Sequence, residues 1–161
     1  MREEKIMTLI SKIEQELKSA MLARDTFKTD VLRDLKSAFL YEEVAKKKRD
    51  EGLTNDEILA VIAREVKKRD DAIEIYANAG DKDREQKEKA ERDILVEYLP
   101  EPLTDDDLRE IVSQVIEAGG FSSVKDMGRA IGDVKKEVGA KADGARIASI
   151  VKEILTKKAQ Q

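Results

Sequence analysis

Cysteine, histidine and tryptophan are all absent from this 161-residue chain. Without cysteine there are no disulfides, thiol nucleophiles or Cys-based zinc sites. Without histidine the Ser–His and Cys–His pairs of nucleophilic catalysis are gone too, and acid–base chemistry would fall to Lys, Asp or Glu. Only carboxylates remain for a hard cation. Aromatic residues make up 4% of the chain, which leaves little to stack on unpaired bases. There are two prolines, and no apolar run is long enough for a membrane span. The charged start Met1-Arg2-Glu3-Glu4-Lys5 is unlike a signal peptide, so a soluble protein of the reducing cytoplasm is expected. Walker-type and dinucleotide glycine patterns are missing as well.

What is present is charge and aliphatic side chains. Charged residues account for 41% of the sequence, with Ala, Leu, Ile and Val supplying most of the rest. Straight-chain charged residues and aliphatics favour helix, and no segment alternates with period two long enough to form a strand. The fold class is therefore all-α. Apolar residues recur at helical spacing in Ile6, Leu9, Ile13, Leu17 and Ala20, and again in Val31, Leu32, Leu35, Ala38 and Phe39. A third such set is Ile58, Ile62, Val66, Ile73 and Tyr76 or Ala77, and a fourth is Ala90, Ile94, Leu95, Tyr98 and Leu99. Asp25 or Thr26 caps the second helix, and Thr54 with Glu57 forms a capping box for the third.

Pro100-Glu101-Pro102 must stop the fourth helix, because the residue before a proline is driven out of the α region. An N-terminal four-helix bundle over 1–99, a linker at 100–103 and a C-terminal three-helix bundle over 104–158 follow from this break. In the second part Thr104 heads a run of three aspartates, and Leu108, Ile111, Val112, Val115 and Ile116 carry the next stripe to a stop at Gly119-Gly120. Ser122 or Ser123 is expected to cap the sixth helix. Asp143 caps the seventh, which holds Ile147, Ile150, Val151, Ile154 and Leu155.

Charge is unevenly placed. Residues 121–161 carry nine Lys/Arg against five Asp/Glu, a local +4 that leaves −8 on the first 120 residues of a chain with net charge −4. On a helical wheel for Val124 to Val138, the residues Val124, Met127, Ile131, Val134 and Val138 form the apolar stripe. Gly128 and Gly132 sit beside it, and Lys125, Arg129 and Lys136 lie within about 40° of one another beyond them. Each mid-helix glycine costs roughly 1 kcal/mol relative to alanine. Close packing against a neighbouring helix of the same bundle would justify them, and so would the approach of a partner's backbone, such as a phosphodiester chain. The stretch Gly139 to Gly144 is a turn with a Gly stop and an Asp cap. With Lys141 and Arg146 nearby, the same helix start could hold a phosphate or carboxylate. Lys67-Lys68-Arg69 is followed by Asp70-Asp71 and is expected to be neutralised locally, while Lys46 to Arg49 complements a helix C-terminus.

Several segments together resemble the GatB/YqeY family: Leu32-Arg33-Asp34-Leu35-Lys36-Ser37-Ala38, Arg64-Glu65-Val66-Lys67-Lys68-Arg69, Lys87-Glu88-Lys89-Ala90-Glu91, Glu97-Tyr98-Leu99-Pro100, Lys125-Asp126-Met127-Gly128 and Lys141-Ala142-Asp143-Gly144. They span nearly the whole chain in order. Stand-alone members are similar to the tail of the B subunit of the aspartyl/glutamyl-tRNA amidotransferase, where helical bundles contact the tRNA. The resemblance implies a four-helix bundle followed by a three-helix bundle. It also implies a link to carbon–nitrogen ligases that use glutamine as amide donor, whose chemistry lies in other domains. The expectation is an accessory module without cofactor, metal or catalytic residue. It would contact tRNA through Lys125, Arg129, Lys136, Lys141 and Arg146, with Gly128, Gly132 and Gly144 as close-packing or backbone-approach positions. A helical protein–protein adaptor for the translation or amidotransferase machinery is the alternative.

Overall fold

The computed structural model describes residues 8–161, so Ile6 of the first expected helix lies outside the described residues. Those residues form seven α-helices and no strand. In order they are α1 (Leu9–Leu22), α2 (Thr26–Ala45), α3 (Asn55–Asn78), α4 (Lys82–Val96), α5 (Asp105–Gly119), α6 (Met127–Val138) and α7 (Gly144–Ala159). Single 3₁₀ turns precede α6 (Val124–Asp126) and follow it (Gly139–Lys141).

Side-chain caps start most of these helices. Asp25 accepts from the Lys28 N–H at α2, Asp81 from Arg84 at α4 and Thr104 from Asp107 at α5. At α3 the capping box is complete: Thr54 Oγ1 accepts from the Glu57 N–H at 3.2 Å, and Glu57 returns to the Thr54 N–H at 3.1 Å. Five helices are followed by a residue of positive φ: the glycines Gly80, Gly120 and Gly139, and the cations Arg24 and Lys47. No serine side chain caps α6, contrary to expectation. The Ser122 N–H instead donates to Asp126 Oδ2 at 3.1 Å, which winds 124–126 into the tighter turn.

The chain divides into two compact units, Met1–Leu99 and Pro100–Gln161. The first contains α1 to α4 around a core of Ile13, Leu17, Val31, Leu32, Leu35, Phe39, Ile58, Val61, Ile62, Val66, Leu95 and Tyr98. Nothing in the last three turns of α3 is fully buried, and α4 contributes only Leu95, because its first three turns are charged almost throughout. Tyr98 is buried, and its hydroxyl donates to the Glu16 carboxylate. Burial first, and then that bond, raise the phenol above its ordinary value. The second unit wraps α5, α6 and α7 around Leu108, Val112, Ile116, Phe121, Ala130, Val134, Ile147, Val151 and Leu155.

Candidate nucleic-acid interface

The face of α6 that enters the core is set by Ala130, Val134 and Val138, all buried, with Met127 and Ile131 partly buried at its edges. Val124 drops out of the expected stripe. It lies in the 3₁₀ turn and is 46% exposed. The inclusion of Ala130 turns the helix so that Gly128 and Gly132 point outward. A Cβ added at either glycine would meet nothing within 4 Å. Among the described residues no neighbouring helix occupies that space, so the expected packing contact is not seen. Gly132 has ordinary helical backbone, so Gly132→Ala is expected to stabilise the second unit by about 0.5–1 kcal/mol. Urea unfolding followed by circular dichroism would measure this, and a loss of stability would place the glycine in a packed contact.

Arg129 and Lys136 project from the outer side of α6, about 20° apart on the wheel, and both are exposed. Lys125 is exposed in the 3₁₀ turn before the helix rather than on α6 itself. Lys141 is exposed in the turn after α6, where its carbonyl accepts from the Leu103 N–H at 2.9 Å. None of these four cations forms an ion pair with a described residue. Arg129 lies over the ring of Phe121, with Cζ 5.7 Å from the centroid.

Arg146 does something else. Its guanidinium pairs with Asp105 at 2.7 Å and donates to the Leu103 carbonyl at 2.8 Å, tying the start of α5 to the start of α7. The Arg146 bond holds the Asp105 carboxyl below its usual range. The Arg146 backbone N–H is taken by Asp143 Oδ1 at 2.8 Å. Arg146 thus serves as an internal tie, and the Asp143 cap occupies the donor that an anion would need. Gly144 faces the end of Lys135, whose Nζ would lie 3.5 Å from an added Cβ, which is ordinary contact. Sequence reasoning passed over Lys135, since only the fold brings α6 and the start of α7 together.

Several cations of the first unit are paired with carboxylates. Lys46 reaches Glu57 at 3.0 Å and Glu42 at 3.6 Å, Lys48 reaches Glu57 at 2.7 Å, and Arg64 reaches Glu42 at 2.6 Å. Lys68 and Arg69 pair with Glu65 rather than with Asp70 and Asp71, and Asp70 pairs with Arg92. The Lys48 ammonium, then the Thr54 backbone N–H and then Lys46, pull the Glu57 carboxyl from 4.5 down to about 2. A depressed carboxyl contributes stability that is present above its ordinary value and lost as pH falls through the lowered one. Acid unfolding of the first unit is therefore expected to steepen below pH 4.5 toward pH 2. Glu57→Gln should be less stable at neutral pH and flatter over that window. An unchanged acid profile in the variant would show that the cluster contributes nothing.

Among the described residues no group of three acidic side chains is placed to hold a metal ion, and no helix is long and apolar enough to cross a membrane. The family model described as Yqey-like protein matches residues 10–155. The chain belongs to the YqeY family. A comparison with curated proteins gives no match. The match runs from α1 into α7 and so covers parts of both units.

Proposed function

We propose that this member of the YqeY family is a cytoplasmic accessory module that contacts tRNA through the outer side of α6 and the turns on either side of it. The observation that carries the reading is the outer side of α6 itself. On α6, Arg129 and Lys136 have no carboxylate partner among the described residues, and the helix beside them lacks side chains at Gly128 and Gly132. An unshielded helical backbone flanked by free cations suits a sugar–phosphate chain, which is recognised by charge and shape rather than by base edges. No catalytic residue is assigned. A carbon–nitrogen ligase role with glutamine as amide donor belongs to the amidotransferase that the family resembles, and any part of this chain in it would be to hold or present the RNA.

The test is a titration with total tRNA at several salt concentrations. Neutralising about three phosphates gives a log–log slope near −2.7, so a fourfold rise in salt should weaken binding roughly 40-fold. Arg129→Glu with Lys136→Glu should remove most of that slope, whereas Lys67→Glu with Lys68→Glu should change little. No binding by the wild type at low salt, or equal losses from the two pairs, would overturn the assignment. A second reading, a helical protein–protein adaptor, rests on other residues. Leu40, Tyr41 and Val44 on the outer side of α2 are 47%, 83% and 55% exposed and adjoin one another at helical spacing. Capture from lysate with and without ribonuclease separates the two, because only RNA-mediated partners vanish on digestion.

A further inference from the structure

Gly120 closes α5 in the left-handed region, with φ of 67°. Its N–H returns to the Glu117 carbonyl at 3.2 Å and that of Phe121 to Ile116 at 3.1 Å, the paired bonds of a Schellman ending. This ending folds the Phe121 side chain back beneath the last turn of α5, where the residue is only 5% exposed. The space exists because position 119 is glycine: a Cβ there would overlap the Phe121 ring. The ring is thus fixed on one side by backbone bonds and on the other by the missing side chain. Over it lies the Arg129 guanidinium, which makes no hydrogen bond to a described residue.

A guanidinium differs from an ammonium in being a rigid planar fork that can grip a phosphate with two parallel N–H bonds. Its weakness as a surface ligand is rotamer freedom, up to about 2 kcal/mol of which is lost on binding. Contact with an aromatic ring removes part of that loss in advance and leaves the N–H donors unspent. Among the free cations of this surface only Arg129 has such a platform; no ring lies beneath Lys125, Lys136 or Lys141. We infer that Phe121, seated by Gly119, is a positioning residue that sets Arg129 as the oriented phosphate anchor of the RNA surface, while the neighbouring lysines supply charge alone. This inference rests on the tRNA reading above.

The experiment measures tRNA affinity at two salt concentrations for Phe121→Leu, Gly119→Ala, Arg129→Lys and Arg129→Gln, and for each of the first two combined with Arg129→Gln. Phe121→Leu should weaken binding about two- to fivefold, the value of an exposed cation–ring contact, with the salt slope unchanged because no charge is lost. Arg129→Lys should do the same. Gly119→Ala supplies a second route: it displaces the ring without removing it, and it favours helix at the end of α5. In the Arg129→Gln background neither Phe121→Leu nor Gly119→Ala should weaken binding further. In the free protein, proton shifts of the Arg129 side chain should move toward random-coil values in both ring variants. If wild type binds but the losses persist undiminished in the Arg129→Gln background, Phe121 acts only through the fold and the positioning role is overturned. If wild type does not bind at all, the tRNA reading fails and takes this inference with it.

Discussion

Ala130→Glu is expected to cost the second unit about 3 kcal/mol or more, enough to unfold much of it at ambient temperature. Ala130 is wholly inaccessible and is surrounded by the α5–α6–α7 core. A longer side chain there overpacks, at about 1–3 kcal/mol, and its carboxylate would be buried without a partner. A unit of this size holds only a few kcal/mol in reserve. Ala130→Leu isolates the packing contribution and should fall nearer 1–3 kcal/mol. Denaturant unfolding of both variants, followed by amide exchange within α5 to α7, gives the comparison. Wild-type stability in Ala130→Glu would mean that another face of α6 enters the core.

In the first unit Phe39→Ala is expected to cost about 3–5 kcal/mol, through lost burial and the cavity left behind. Phe39 is 2% exposed on α2 and shares its core with Ile13, Ile58 and Ile62. Two residues further on, Tyr41 is 83% exposed, and Tyr41→Ala should stay within about 0.5 kcal/mol of wild type. The pair uses one helix, two aromatic residues, one replacement and opposite faces. Similar urea midpoints for both variants would refute the assigned orientation of α2.

The helices were legible because their signals are local. Thr54 with Glu57, Thr104 and Asp143 act within one turn of themselves, and the caps stand where the sequence places them. Most of the core was legible for the same reason, since Ile13, Leu32, Leu35, Ile62, Leu108, Ile147 and Leu155 repeat with the helical period. The orientation of α6 was harder. Alanine carries little weight in an apolar stripe, so Ala130 gives no clear signal, and Val124 fits the period of a helix that begins only at Met127. Moving the face by that much took the glycines from an expected packed seam to open space. The tie made by Arg146 is not legible for a different reason: its partners Asp105 and Leu103 lie about forty residues away, and nothing in a linear sequence distinguishes a tied arginine from a free one. The same holds for Lys46 and Lys48, whose shared partner Glu57 lies across a turn on α3.

The bond between Tyr98 and Glu16 spans 82 residues and joins the first helix to the last residues of its unit. During synthesis the chain leaves the ribosome N-terminus first, at about 5–20 residues per second. Roughly 4–16 s therefore separate the emergence of Glu16 from that of Tyr98. Only in roughly the last 1–4 s of that interval, once α3 has emerged as far as Asn78, can α1, α2 and α3 all pair with one another, and Leu95 and Tyr98 are still missing from the core they are to close. The nascent unit thus passes through a three-helix stage with an open apolar seam, and the length of time it needs shielding is set by where Tyr98 stands in the chain.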